Sequence, residues 1–532
     1  MMSDALREAL ERTRSGYEDE RVWHTFLMDA YTGGGGFQGS VRQPDAGWWG
    51  AAASRYAPWG AAFDLRDSQL PDTYLDRFPR EDKPKFRSRI DVAHYWNFVG
   101  PLTDLKLSYL LRKGFIYHDQ PEELADWRHD VDGHGSSWDE LRPLVALMAA
   151  MWGWTPVLID MDPASPGMSL AQAEQAGLGR PRAVPLTPGN LVDWDHDGQT
   201  WRWVKVRTDH IVQETWAHKP VSVARYSIWT PETVETFEVR GDDRDVVPLT
   251  DGPQPHPFGV VPLVIFRHSR CPGDPVRGVP MHSAPAVASK RLFNLLSELD
   301  ELLRSQTFSV LVLATKGELG KVSLGTDNAL PLDAESRQQH YFMAPDSSSA
   351  TIYEKRIEAT VREGIYRPAR VEFEHPSGRD ASGVARAYSF SQTNRAIADF
   401  GGEFARGERE MDGIAWTGLG RDTSALDAYD VRAPSDYDVE DLATEIANVT
   451  AGLALKLGTE METRLRQRIV SHFEPDLPAD VQSLIETELR AIAEEDAQAR
   501  AAVLEMSDSF GDPSPGGDEE DEEDEERPPA SS

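Results

Sequence analysis

The stretch 282–308 reads HSAPAVASKRLFNLLSELDELLRSQTF, and its leucines set the frame of the chain. Leu292, Leu295, Leu296, Leu299, Leu302 and Leu303 recur at i, i+3, i+4, i+7, i+10 and i+11, the spacing that lines up side chains on one face of an α-helix. Pro285 suits the first turn, where its missing N–H would have no partner in any case. From Ala284 to Gln306 such a helix reaches about 34 Å at 1.5 Å per residue. A one-faced helix of that length needs something to pack on along its whole length. A second helix is predicted over 352–366. Between the two, 307–351 breaks into the short strand-like runs TFSVLVLA and QQHYFMAP around a segment, TKGELGKVSLGTDNALPLDAES, read as loop with short strands.

On the N-terminal side, 184–266 has a β texture of short alternating or continuously apolar runs cut by Gly, Pro and Asp. DHDG at 195–198 is placed as a hairpin turn, because Asp and Gly tolerate the positive φ that such turns need. An Asp-x-Asp-Gly calcium loop is the alternative, although no Glu follows at loop spacing. A buried helix from about 141 runs into the strand TPVLIDM, with Trp152 and Trp154 as core aromatics. Two helices are predicted within 74–117, the second carrying Leu102, Leu105, Tyr109 and Leu110 near one face. Arg80, Lys83, Lys85, Arg87 and Arg89 form a basic cluster, expected as a solvated face paired with acids, with a DNA or partner contact as the alternative. Gly33–Gly36 are expected as a flexible loop, since no Gly-Lys-Ser/Thr follows to anchor a phosphate.

On the C-terminal side, 382–416 predicts a long polar helix, kinked at the adjacent Gly401 and Gly402. Leu442, Ile446, Val449, Leu453 and Leu457 mark another helix with Asp438 as its N-cap, and a last helix is expected over 480–506. The remainder, 507–532, lacks the apolar residues to fold and is expected to be disordered.

Composition bounds the function. The 532 residues carry a net charge of −34. The run Asp518–Glu526 is nine acids and Arg527 offsets one, which leaves −26 on the rest of the chain. A sequence-specific DNA binder needs a basic footprint, and this balance argues against one. Cys271 is the single cysteine, so an internal disulfide and paired-cysteine zinc sites are excluded and a reducing compartment is expected. The N-terminus has no basic segment leading into an apolar core, and the longest apolar runs, VALMAAMWGW and FGVVPLVIF, are about half a bilayer-spanning length. A soluble, intracellular protein without membrane contact is expected.

Catalytic chemistry has one candidate. RHDVDGHGSS at 128–137 holds His129, Asp130, Asp132 and His134 within six residues, ligand types that could hold a metal and activate water. The Gly-rich setting and irregular spacing favour a polar loop. No Gly-x-Ser-x-Gly elbow occurs, and paired carboxylates are too abundant to single any out. The chain is therefore expected not to be an enzyme and to need no cofactor. A metal-dependent hydrolase built on 129–134 is the alternative.

The element order from HPFGVVPLVIFRHS (256–269) through the leucine helix, SVLVLAT, the compact insertion, YEKRIEATVREGIYRPARV (353–371) and SGRDASGVARAYSF (377–390) resembles the portal proteins of tailed bacteriophages, the head-to-tail connectors. TYLDRFPREDKPKFRSRIDVAHYWNFVGPLTDLKLSYLLRKGFIY (73–117) resembles the start of the same family. The likeness covers 75–500, as pattern rather than invariant motif. It implies an α+β portal-type fold: an N-terminal wing over 1–283, a first stem helix 284–306, a clip 307–351 and a second stem helix 352–370. A tunnel loop 371–380, a wing helix and connection 381–437, a helical crown 438–506 and the acidic tail 507–532 complete it. The tunnel segment is short for the family, and the acidic tail is no part of the resemblance.

In function, the resemblance implies a ring homo-oligomer, as a dodecamer, at one capsid vertex. The ring would conduct double-stranded DNA non-specifically during packaging and ejection, and would dock terminase, capsid and scaffolding proteins and the head-completion or tail adaptor. The location implied is the virion, with assembly in the host cytoplasm. His375, Ser377, Arg379 and Asp380 are the tunnel-loop residues expected to face DNA, and Lys355, Arg356, Arg362, Arg367 and Arg370 the basic positions of the second stem helix. Another virion structural protein, a minor head or adaptor component, is the alternative closest in kind.

Overall fold

The computed structural model describes residues 2–37, 73–79, 81–161, 179–213, 215–216, 221–240, 245–306, 310–315, 330–333, 341–343, 348–371, 383–435, 437, 449–455, 458–473 and 479–509. The chain forms two compact units, Met1–Tyr437 and Asp438–Ser532, of mixed α+β and helical character respectively. Among the described residues no helix is long and apolar enough to cross a membrane.

The first unit opens with helices α1 (Met2–Glu11), α2 (Tyr17–Thr32), α3 (Lys83–Val92) and α4 (Val99–Arg112), strand β1 (Ile116–His118), and helices α5 (Glu122–Arg128) and α6 (Trp138–Trp152). α6 starts on a capping box, in which Ser137 and Glu140 satisfy each other's backbone N–H groups. Strands β2 (Trp154–Asp160), β3 (Arg182–Pro185), β4 (Leu191–His196), β5 (Trp201–Val212), β6 (Val221–Trp229), β7 (Thr233–Arg240), β8 (Asp245–Pro248), β9 (Gln254–Pro255) and β10 (Leu263–Arg267) follow. β10, β2 and β3 make one antiparallel sheet; β4 to β8 form a meander, with β9 paired to β7. The expected hairpin joins β4 to β5, with its turn two residues further on, at 197–200: the Asp197 carboxylate accepts from the Gln199 and Thr200 amides and Gly198 has φ 99°.

Helix α7 (Ser283–Gln306) is the leucine helix, one residue longer than predicted. It leads into β11 (Val310–Thr315), β12 (Leu330–Asp333) and β13 (Tyr341–Met343), a small sheet in the order β12-β11-β13 with β12 parallel and β13 antiparallel to β11. Helix α8 follows as an α-helical part, Ser348–Ala359, a π-helical stretch, Thr360–Tyr366, and a last α-turn, Arg367–Ala369. Helix α9 (Gly383–Gly418) is the longest of the described helices, and β14 (Asp430–Arg432) pairs with β1.

The main core lies where α9 crosses the β10-β2-β3 sheet and α6. Trp127, Trp138, Phe266, Phe400, Phe404 and Met411 fill it, each about 1% exposed or less. Trp152 and Trp154 are core residues, as read from sequence. Through this dry interior runs an ionic cluster. Glu408 and Asp412, one turn apart on α9, are 0% exposed. Arg142 of α6 donates to Glu408 at 2.7 Å, and Arg128 of α5 donates to Asp412 at 2.5 Å and to Glu408 at 3.2 Å. Tyr117 of β1 donates to Glu408 at 2.8 Å, and Tyr429 to Asp412 at 2.5 Å. Burial pushes both carboxyls up; at Glu408 the Arg128 and Arg142 charges outweigh it and hold the group low, while at Asp412 burial wins over Arg128.

Three expectations need correction. The buried face of α4 is Leu102, Thr103, Lys106, Leu107 and Leu110, with Leu105 exposed, so the stripe turns by one position and takes a lysine inside. Arg89, read as part of a solvated face, is buried against Glu81 in a bidentate pair of 2.9 Å bonds; the charge is matched locally rather than hydrated. Gly33–Gly36 are no flexible loop. Gly36 donates to Asp29, which Tyr74 also bonds at 2.7 Å, and the adjoining Phe37 is 1% exposed. The hydrogen-bonded helix runs on through Gly401–Gly402, and Gly401 serves packing, while a Cβ on Gly402 would meet open space. A Cβ on Gly401 would stand 2.6 Å from the Tyr437 hydroxyl and 2.9 Å from the Ala433 Cβ.

In the second unit, a helical stretch 449–454 precedes α10 (Thr459–Phe473) and α11 (Ala479–Ser509). The two long helices are clamped by ion pairs. Arg500 grips the fully buried Glu462 through both carboxylate oxygens at 2.6 and 2.8 Å, and Arg490 reaches Glu460 at 3.0 Å. Asp438 and most of 507–532 lie outside the described residues.

Glu408 answers two guanidiniums and Asp412 one. Glu408→Gln is therefore expected to lower unfolding stability by about 3–5 kcal/mol, the usual cost of leaving a buried charge unpaired, and Asp412→Asn by less. Urea titration of the two variants checks the order.

Candidate nucleic-acid interface

The basic positions expected to meet DNA all lie on α8 or at its end, so the packing of α8 decides what they can do. Its inward side chains are Tyr353, Ile357, Val361, Ile365 and Ala369, each four residues after the last; the final three are buried. In a uniform α-helix a four-residue step overshoots a full turn by about 40°, and the row would wind off its partner. The π stretch 360–366, with its wider turn, advances less per residue and takes the drift back. The row therefore stays on α7, where Val361, Ile365 and Ala369 join Leu292 and Leu102 in one cluster with Ala288 and Leu296 beside it. Gly364 lets the helices close: a Cβ there would lie 2.9 Å from the Ala288 Cβ.

Of the leucine stripe on α7, Leu292 and Leu295 are buried, Leu296, Leu299 and Leu302 half-buried, and Leu303 exposed. Burial therefore fades toward the C-terminal end of the helix. Near that end α7 and α8 leave a groove of about 560 Å³ between Leu295, Glu298, Ile352, Tyr353 and Ala359, flanked by Lys355 and Arg356. Tyr353 donates across it to Glu298 at 3.2 Å.

The five basic positions divide into two kinds. Arg367 and Arg362 both bind Glu363, at 2.7 and 3.0 Å, and their hydrogen bonds hold that exposed carboxyl below its ordinary range. Lys355, Arg356 and Arg370 are exposed and form no ion pair with a described residue. This outer face can make loose contact with phosphates, and its arginines are partly compensated in place. Arg370 closes α8 in the left-handed region at φ 55°, and its carbonyl accepts from the Thr393 hydroxyl of α9. His375, Ser377, Arg379 and Asp380 lie outside the described residues.

The His129–His134 cluster is placed as a turn. Asp132 accepts from the His134 and Ser136 amides at 2.8 and 3.1 Å, and Asp130 from Gly135 at 2.8 Å. Both carboxylates are engaged by their own loop, and the described residues contain no group of three or more His, Cys, Asp or Glu placed to hold a metal ion. Glu408 and Asp412, which the structure does single out, were hidden among 89 acidic residues. The available signal was their i, i+4 spacing inside the apolar run that carries Phe404, Ala405, Met411 and Ala415.

No protein-family model matches the chain, and no curated protein matches it. Among solved structures it is similar to a chain described as the neck of an empty GTA particle computed with C6 symmetry. The TM-score is 0.34 at 14% identity, over 69% of this chain and 90% of that one. It is also similar to a chain from the neck of a native GTA particle computed with C12 symmetry, with TM-score 0.32 and 13% identity over 67% and 85%. Likenesses of this size carry neither fold nor function with them.

Gly364→Ala is expected to push α8 off α7, because neither Cβ can rotate away, at about 1–3 kcal/mol for an overpacked contact. Adding Ala288→Gly should recover part of that loss, which a denaturant series on both variants would read out.

Proposed function

We propose that this chain is a ring-forming head-to-tail connector of the portal type. The observation that carries the reading is the arrangement between 283 and 418. Two helices pack along their lengths, a small three-stranded sheet is inserted between their far ends, and a 36-residue helix follows. That order is the one the sequence resemblance implies for stem, clip, stem and wing helix. In this reading α7 and α8 line a channel, 307–351 meets the packaging motor and later the tail adaptor, and 438–506 forms the crown. Twelve copies around double-stranded DNA at a capsid vertex is the proposed assembly.

Two physical features support it. The end of α7 keeps Leu303 exposed at 44% and the start of α8 keeps Ile352 exposed at 68%, apolar surface that a neighbouring copy in a ring would cover. The chain as a whole is strongly acidic while Lys355, Arg356 and Arg370 are unpaired among described residues. A polyanion is then repelled by the body and touched only locally, as a conduit requires. His375, Ser377, Arg379 and Asp380 are proposed as the residues nearest the DNA. The chain is proposed to do no catalysis itself.

Negative-stain imaging of the purified protein should give rings with a central hole; monomers or dimers at all concentrations would refute the reading. Shortening 375–379 is expected to leave rings intact while lowering DNA packaging or retention, and loss of the rings would assign that segment to assembly instead.

A further inference from the structure

The helix pair α7–α8 carries opposite charge on its two flanks. Tyr353 and Ile357 face α7, Tyr353 through its hydrogen bond to Glu298. In the α-helical part of α8 successive residues step by about 100°, so positions two apart lie on nearly opposite sides. Ile352, Arg356 and Ala359 therefore share one flank, where they line the groove with Leu295 and Glu298, and Glu354 and Glu358 share the other. The same step on α7 puts Glu298 in the groove and Asp300 on the far side, with Leu303 three residues further along that face. Lys355, two residues from both Tyr353 and Ile357, stands at the rim of the groove on the side of α8 away from α7.

The groups left over on the two flanks are complementary. Arg356 and Lys355 beside the groove, and Asp300 and Glu354 on the opposite flank, are exposed and form no ion pair with a described residue. Glu298, the acid of the groove, accepts from Tyr353 at 3.2 Å, and Arg304 stands a turn beyond Asp300. Each flank also bares an aliphatic side chain, Ile352 at 68% and Leu303 at 44%. Glu298 meets Tyr353 and Ala288 meets Gly364, so the helices run antiparallel with their relative height fixed. At 1.5 Å per residue, Arg356, Lys355, Glu354 and Asp300 then all fall within about 8 Å of one another along the pair.

We propose that the groove takes the opposite flank of a second copy of this chain, Arg356 of one copy meeting Asp300 and Glu354 of the next while Leu303 packs over Ile352. Because the two flanks differ, the contact is heterologous: a copy that fills its neighbour's groove leaves its own groove open for a third. The matched heights of the flanks leave little translation per copy, so the series closes instead of climbing. Each ion pair at such a rim is weak, whereas like charges set against each other are strongly disfavoured. The charges therefore choose partner and register, and the apolar contact supplies the area. This contact rests on the ring reading and names the residues of the join between copies. It draws Arg356 into that join and leaves Lys355 and Arg370 to phosphates.

The test is the size distribution of the full-length protein, read by mass photometry and negative stain. Arg356→Glu in one variant, and Asp300→Lys with Glu354→Lys in a second, should each raise the concentration needed for assembly tenfold or more, since both set like charges against each other. All three positions are exposed, so each variant is expected to unfold at the midpoint of unassembled wild-type protein. An equimolar mixture of the two variants should assemble at the wild-type concentration, because every join then pairs reversed charges, and so should a chain carrying all three substitutions. Rescue in the mixture excludes misfolding as the cause of the loss. Variants that assemble like the wild type, or a mixture that stays apart, would overturn the contact and give the groove to a different partner. Filaments lost and restored by the same variants would keep the contact and remove the closed ring; a wild-type chain that never assembles would remove both.

Discussion

Two guanidiniums and two carboxylates, closed off from water, hold the first unit to one arrangement. Arg128 and Arg142 reach α9 from α5 and α6, and Glu408 and Asp412 meet them with Tyr117 and Tyr429 completing the remaining lone pairs. Desolvating four charges costs much of what their attraction returns, so such a cluster contributes little net stability and discriminates strongly against mispairing. Sliding α9 by one turn would bring Phe404 to the place of Glu408 and leave Arg142 facing a phenyl ring. The register of α9 against the β10-β2-β3 sheet follows from that penalty. So does the position of Thr393, whose hydroxyl ties α9 to the end of α8.

The same logic of local matching recurs in smaller form. Arg89 and Glu81 are buried as a bidentate pair that also reaches the Asp76 carbonyl, and Glu462 is buried under Arg500. Each cation in these interiors finds its acid within the described structure. Lys106 departs from that pattern, at 5% exposure with no ion pair to a described residue.

Much of the fold was legible in the amino-acid order. The α7 and α8 helices, the strands of the inserted sheet, the hairpin between β4 and β5 and the long C-terminal helices are short-range features, written in periodicity and turn chemistry, which need no tertiary partner to be read. The basic positions of α8 were legible as residue types. That Glu363 engages two of them, and that a π stretch keeps the inner row on α7, was not, because both depend on how a turn is wound rather than on which residues it contains.

By itself the sequence determined which stretches carry the long helices, the acidic character of the chain, and the absence of any cysteine framework. The tertiary structure alone decided which charges are inside. Eighty-nine acids and fifty-five lysines and arginines look alike along a chain. Burial distinguishes them only when segments hundreds of residues apart exclude water together, as α5, α6 and α9 do around Glu408. Sequence periodicity placed Leu105 and not Lys106 on the inner face of α4, since hydrophobicity was the only guide to burial available there. The packed molecule turned that helix by one position, toward the neighbours that a single helix cannot specify.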